Sequence, residues 1–261
     1  MQPQRSAKEQ FDKQATHYNA QWNSWSEEAL HWMLRAADAQ AGDRVLDIGT
    51  GTGFTALAFA EQAGEVVGTD VSTGMLEQAC KAAAERGLAN VRFEEAPAEE
   101  QPFEDGSYDI VACRVAAHHF LDVAQFVREA ARVLKPGGRF ILTDTTVPDD
   151  DSEAANWQNA VEALRDPSHV RNHTPSAWRA LAEEAGLKVI EVTSAGGGIT
   201  VPLEDWLTKA GCEGETADEV RSRFANAPAG AKAAYAVRGG GGEPVIFTWQ
   251  RVAMKAVRPH A

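Results

Sequence analysis

Between Arg44 and Thr145, short apolar runs alternate with segments whose apolar residues recur at helical spacing. "RVLDIG", "EVVGTD", "VRFEEA", "YDIVACR" and "RFILTDT" read as five strands. "FTALAFAEQAG", "STGMLEQACKAAAERG" and "VAQFVREAARVL" read as helices, and "KPGG" as a turn. Ser72 is placed to N-cap the second of these helices and Gly87 to close it. The central strands are apolar nearly throughout, so both faces of their sheet need cover. Right-handed crossovers then give a doubly wound, mostly parallel α/β sheet.

The flanks complete that plan. Trp25, Ala29, Trp32, Met33 and Ala36 recur at helical spacing up to Gly42, so residues 1–42 read as a helical cap on a ligand-binding domain over 43–261. After Thr145 the rhythm changes. A polar stretch over about 147–174 leads to the helix "PSAWRALAEEAG" and the strand "LKVIEVTS". A second, partly helical insert runs over about 202–242, and "PVIFTWQRVAMKAV" is a long last strand. Ligands of such sheets bind beyond the carboxyl ends of strands, where the two inserts are placed to roof a pocket.

Composition narrows the function. The 261 residues are 44% apolar and 24% charged, as in ordinary globular proteins. No apolar run approaches the ~18–20 residues of a membrane span, and "MQPQRSAKEQFDK" lacks an apolar signal core. Cys80, Cys113 and Cys212 are scattered, which suits reduced thiols in a cytoplasmic protein. The formal net charge of −13 argues against nucleic acid and anionic membrane as partners and is compatible with a small molecule.

"VLDIGTGTG" then points to the ligand. A dinucleotide fingerprint needs G-x-G-x-x-G. Here Gly49, Gly51 and Gly53 alternate with Thr50 and Thr52, and Phe54 stands where the last glycine of that fingerprint would be. Asp47, two residues before the first glycine, repels a pyrophosphate and attracts an ammonium. Asp70 ends the next strand, where a carboxylate accepts from both hydroxyls of a ribose. An amino-acid tail and a nucleoside on one ligand describe S-adenosylmethionine. A nicotinamide-dependent oxidoreductase is the rival that the Phe54 spacing disfavours.

With these residues, "VVGTDVS", "PFEDGSYDIVACR" and "REAARVLKPGGRFILTD", the sequence resembles the class I S-adenosylmethionine-dependent methyltransferases. The likeness runs from about Phe11 to Arg251, within the branch of the ubiquinone/menaquinone methyltransferases. "CRVAAHHF" and "RDPSHVR" bring it closer to the YcgJ-type bacterial methyltransferases. The resemblance implies a Rossmann-like seven-stranded sheet of order 3-2-1-4-5-7-6 with the last strand antiparallel. It implies Asp47 and Gly49 at the methionine end, with Thr50, Gly51 and Gly53 in the same loop. It implies Asp70 on the ribose, Val71 and Met75 beside adenine, Ala98 and Glu99 at the adenine edge, and the Arg114 carbonyl on the ammonium. Pro97 stands where many relatives carry an acid. The N-terminal segment of the family often folds over the cofactor, and "FDKQATHYNAQW" offers Tyr18 as a lid residue.

Transfer from a sulfonium needs alignment and, for many acceptors, loss of a proton. His118 and His119 follow the fourth strand beside the expected methionine end and are candidates for general base. In the first insert Arg165 and Arg171 are placed to clamp an acidic acceptor, with His169 between them. Trp157 and Trp206, one in each insert, are candidates to line an apolar pocket. His169 and His173 have helical metal spacing, but Pro175 interrupts a helix there and no third ligand is evident, so no metal is expected. The sequence thus predicts a small-molecule methyltransferase, with an RNA or protein methyltransferase as the alternative.

Overall fold

A computed structural model describes residues 7–14, 27–194 and 198–260, with backbone alone for 13 and 14. Tyr18, Trp22 and Trp25 lie outside the described residues. In chain order the elements are α1 (Ala7–Gln14), α2 (Glu27–Ala37), β1 (Arg44–Ile48), α3 (Phe54–Ala60), β2 (Glu65–Asp70), α4 (Thr73–Arg86) and β3 (Val91–Glu95). There follow β4 (Tyr108–Arg114), a 3-10 turn (Ala117–His119), α5 (Val123–Val133), β5 (Leu134–Thr146), α6 (Ser152–Arg165), α7 (Pro175–Glu184) and β6 (Lys188–Thr193). The chain ends with β7 (Ile199–Pro202), α8 (Leu203–Lys209), α9 (Gly214–Ala225), α10 (Ala229–Ala234), β8 (Arg238–Gly240) and β9 (Glu243–Val257).

The main sheet has the order β3-β2-β1-β4-β5-β9-β6. β1 to β5 pair in parallel, and β9 runs antiparallel to both β5 and β6. This is the expected order, with β9 standing between β5 and β6 where the seventh strand was expected. Successive strand residues serve opposite faces, as the two-residue period requires. Val45, Ile110 and Ile141 pack with Met33 of α2 and Phe59 of α3. Their neighbours Leu46, Val111 and Leu142 pack with Phe126 of α5 and Trp178 of α7.

Local signals behave as their chemistry dictates. The Ser72 side chain accepts from the Met75 N–H and caps α4, and Gly87 closes it at φ 67°. Two ends differ from the sequence reading. α2 stops at Ala37 because Asp38 turns left-handed at φ 48°, five residues before Gly42. "KPGG" belongs to β5, which begins at Leu134 opposite Tyr108 and takes its kink at Gly137, φ 81°.

The inserts form a second layer with its own core. The amino-terminal half of β9 leaves the main sheet and pairs with β7 and β8, two short strands that the sequence reading did not include. Against this ribbon pack Trp157 and Val161 of α6, Trp206 and Leu207 of α8, Val220 and Phe224 of α9, Tyr235, Phe247 and Trp249. One strand therefore carries both layers, with Gln250–Val257 in the main sheet and Ile246–Trp249 in the cap. No helix among the described residues is long and apolar enough to cross a membrane.

Candidate active site

A cavity of about 990 Å³ lies over the carboxyl ends of β1, β2 and β4, beneath α1 and the cap layer. One end is built from backbone. The N–H groups of Gly49 and Thr50 both donate to the Thr69 carbonyl at 2.9 Å, which folds the loop back over β2. All three glycines have positive φ, where a side chain is strained. A Cβ on Gly49 falls 2.7 Å from that of Ala116, and one on Gly53 falls 2.9 Å from Ala79 and Phe93. On Gly51 it meets open space, so this is where a ligand approaches bare backbone. Gly49, Thr50 and Gly51 are in the wall; Gly53 is not, and its role is to let the loop pack on α4 and β3.

Asp70 lies in the wall with both oxygens engaged by backbone. Oδ2 accepts from the Gly51 N–H and Oδ1 from the Ser72 N–H, each at 2.9 Å. Burial still raises its pKa above the ordinary carboxylate value, against those amides. Val71, Met75, Pro97, Ala98 and Glu99 continue the wall. Glu99 accepts from the N–H groups of Leu121 and Asp122 and so braces the turn that follows the histidines. Arg114 is also in the wall; its Nε donates to Thr55 Oγ1 at 2.7 Å and its guanidinium lies 5.0 Å from the Phe54 ring centre.

Asp47 is 1% exposed and stands one layer behind the lining residues. Its Oδ2 accepts the Thr50 hydroxyl at 2.6 Å. Burial pushes it up to about 7, opposed by Thr50 and by the charge of Arg114. The acid holds the glycine loop from behind, and Thr50 stands between it and the cavity.

The other end is built from side chains. Val115 takes the left-handed conformation, φ 52°, an outlier for a β-branched residue. The kink swings the chain out of β4 and brings His118 and His119 into the wall. Asp144, at the end of β5, accepts from His118 Nδ1 at 2.6 Å and from the His118 N–H at 3.0 Å. Burial lowers the His118 pKa, but the charge and hydrogen bond of Asp144 outweigh it and the net shift is upward. His119 Nδ1 is 3.0 Å from Ser168 Oγ, which itself donates to Asp166 at 2.6 Å. Burial, then the neighbouring charge of His118, push His119 down to about 4.

The insert candidates separate. Arg165 and Trp206 are in the wall, with the guanidinium 4.5 Å from the indole centre and Nε donating to the Trp206 carbonyl at 2.8 Å. Trp157 is not in the wall; it packs inside the cap between Phe224 and Tyr235. Arg171 is exposed, because α6 ends at Arg165 and the loop beyond turns that side chain outward. No Arg165–Arg171 clamp forms. His169 stands behind the wall, with Nε2 on Asn159 Oδ1 at 3.1 Å and its ring 5.7 Å from that of His118. Among the described residues no group of His, Cys, Asp or Glu is arranged to hold a metal.

Several wall residues escape sequence reasoning. Lys8 and Phe11 of α1 reach across the cavity: Lys8 pairs with Glu95, and the Phe11 ring edge meets His119 with centres 4.9 Å apart. Asp12 Oδ1 accepts from the Ser72 hydroxyl at 2.6 Å, tying α1 to the start of α4. Glu162 of α6 is a buried wall carboxylate that burial pushes up to about 7. Trp249 and Arg251 enter from β9. Glu162 had a legible signal, since it lies one helical turn before Arg165. Lys8 had none, and Phe11 only the family's habit of folding this segment over the cofactor, because the long-range path of the chain brings α1 over the site.

Known proteins match this arrangement. The family described as Methyltransferase domain matches residues 46–142. The methyltransferase YcgJ of Bacillus subtilis is 35% identical over 249 residues, covering 95% of this chain and 97% of its own. A demethylmenaquinone methyltransferase of Thermus thermophilus is 42% identical over 124 residues, covering 46% of this chain and 56% of its own. The crystal structure of the Bacillus subtilis YcgJ protein superposes with TM-score 0.84 at 35% identity, over 90% of this chain and all of that one. A Bacillus halodurans C-125 structure gives 0.83 at 33% identity, over 88% of this chain and 98% of that one. With strand order, glycine loop and near full-length likeness in agreement, the chain belongs to the class I S-adenosylmethionine-dependent methyltransferases, in the branch that includes YcgJ.

Proposed function

We propose that this methyltransferase acts in the cytoplasm on a small, partly apolar acceptor seated between His118 and the cap. The observation that carries the reading is continuity: Gly51 and Asp70 share one chamber with His118, His119, Trp206 and Trp249. A chamber of about 990 Å³ is on the scale of a cofactor and a small partner, and cap side chains close it above. A polymer substrate calls for an open, basic groove, which a net charge of −13 disfavours.

The cradle fits the methyl donor. Gly51 leaves room where a Cβ meets nothing, and the carboxylate of Asp70 is held in place by two backbone amides. When bound, S-adenosylmethionine supplies an electrophilic methyl group on a sulfonium. Asp70 would accept from the ribose hydroxyls, Val71, Met75 and Ala98 would enclose the adenine, and the Arg114 carbonyl would take the ammonium. Asp47 acts one layer back, by fixing Thr50. At the acceptor end His118 is the general base, oriented by Asp144. Phe11, Trp206 and Trp249 exclude water and align the acceptor.

Incubation of the protein with a methyl-labelled donor and a metabolite extract tests this. Label is expected in the low-mass fraction. Label confined to RNA or protein overturns the small-molecule reading.

A further inference from the structure

The methyl donor ends in a zwitterion, whose ammonium and carboxylate hang from one carbon atom. The Arg114 carbonyl serves the ammonium. The carboxylate needs a cation beside it, because a charge drawn from water without a partner is costly. Among the described residues the cationic side chains of the wall are Lys8, Arg114, Arg165 and Arg251. Lys8 pairs with Glu95, which stands opposite Asp70 in the β2–β3 register and so marks the ribose end. Arg165 is held in the cap, on Trp206. The two arginines of β4 and β9 remain.

Arg114 stands where the sheet opens. β1 and β4 pair only as far as Asp47 and Ala112; β1 then turns into the glycine loop, while β4 runs on beside β5 to Arg114. In the order β3-β2-β1-β4-β5 this gap is the topological switch point, the crevice in which such sheets hold a ligand. The Arg114 side chain reaches back across it. Its Nε donates to Thr55 Oγ1 at 2.7 Å, and its guanidinium lies 5.0 Å from the Phe54 ring centre. Phe54 and Thr55 are the first residues of α3, directly after Gly53. One residue therefore has its backbone on the β4 side of the crevice and its charge on the glycine-loop side, with Thr52 and Phe54 beside it in the wall.

Arg251 adds to the same field. It is level with Thr145 on β5, as Arg114 is level with Thr143, and residues two apart on a strand share a face. Both arginines are thus on the face covered by α2 and α3, which carries Ile110, Ala112 and Ile141 below them. Burial, then the charge of Arg114, hold Arg251 down at about 10. Two like charges on one face of a half-dry wall favour an anion there.

We infer that Arg114 clasps the donor's zwitterion at both ends, the ammonium on its carbonyl and the carboxylate on its guanidinium, with Arg251 reinforcing the charge. This rests on the Arg114 carbonyl as the ammonium site. It adds a selectivity: the chamber reads the intact amino-acid tail and discriminates against a donor that has lost its carboxylate.

Calorimetry with S-adenosylhomocysteine, its decarboxylated analogue and methylthioadenosine, which lacks the tail, reads the clasp. The unaltered protein is expected to bind S-adenosylhomocysteine about thirtyfold more tightly than the decarboxylated analogue, within the range for a hydrogen bond between charged groups. Arg114→Gln is expected to bring that ratio to within about threefold. Arg251→Gln, which removes charge but no direct bond, is expected to lower it to about tenfold. Methylthioadenosine affinity within about twofold of the unaltered value reports a folded cradle in each variant. Where Arg114→Gln fails that check, Arg114→Lys is read in its place; it keeps the charge without the planar fork, and its ratio is expected near tenfold. Equal affinities in the unaltered protein overturn the clasp. So does a full ratio in the folded Arg114 variant, which would hand the guanidinium to an anion on the acceptor, or a larger fall in Arg251→Gln than in Arg114→Gln. Small-molecule transfer is untouched by these outcomes, since it fails only on its own readout, the absence of label from the low-mass fraction.

Discussion

At the donor end of the cavity the wall is mostly backbone: Gly49, Gly51 and the amides that grip Asp70. At the acceptor end it is side chain: two histidines, Glu162, Arg165 and two tryptophans, brought from four separate segments. The family match covers residues 46–142, which hold the first end and stop short of the cap. The lesson is that a site made of glycine dihedrals and one strand-end acid is specified within a few residues. A site made of converging side chains is specified only by how distant segments meet.

If the two ends are separable, variants must separate them. His118→Ala is expected to lower kcat by about 10²–10⁴-fold, the range for loss of a general base, with S-adenosylhomocysteine affinity within about twofold. Parallel loss of both, in stopped-assay kinetics and calorimetry, would break the division. Trp206→Ala is expected to cost about 3–5 kcal/mol of unfolding free energy, since the ring is 4% exposed among Phe224, Phe247 and Trp249. Because β9 runs through both layers, chemical denaturation should still show one transition. Two transitions would make the cap an independent unit.

Asp70→Ala is expected to weaken S-adenosylhomocysteine by about a hundredfold, the size of two hydrogen bonds to a charged group. Trp206→Ala should leave that affinity within about threefold, and equal losses would merge the two ends again.

The smallest effects are in pH. His118 faces Asp144, Glu162, Asp166 and His119, and its net shift is upward. A base must be unprotonated to act, so the acid limb of kcat/KM is expected above pH 6.5. Asp144→Asn moves it down, and an unmoved limb assigns the titration to another group. Burial raises Glu162 to about 7, from an ordinary value near 4.5. Its contribution to stability is full below about pH 4.5 and fades as pH rises through 7. Glu162→Gln is therefore expected to shrink the stability difference between pH 5 and pH 8, on the order of 1 kcal/mol in urea unfolding.

Legibility follows the same divide. The Ser72 and Gly87 caps and the position of the glycine loop could be read from residues close in sequence, whereas the strand order followed from the family resemblance. On α6 the helical period could have distinguished two stripes: Trp157, Val161 and Leu164 toward the cap core, and Glu162 with Arg165 toward the cavity. Reading Arg165 and Arg171 as a clamp failed because the helix ends between them. Asp47 points to the right ligand class but stands behind Thr50, a depth that charge spacing does not reveal.

By itself, then, the sequence determined what local rules govern: strand against helix by period, tight turns by glycine at positive φ, and a glycine cradle flanked along the chain by Asp47 and Asp70. Tertiary structure decided which side chains face one another across the chamber. Phe11 meets His119, Asp144 holds His118, Ser168 orients His119, and β9 delivers Trp249 and Arg251. The reason is physical: backbone conformation depends on immediate neighbours, whereas the partner of a side chain depends on where the rest of the chain has already packed.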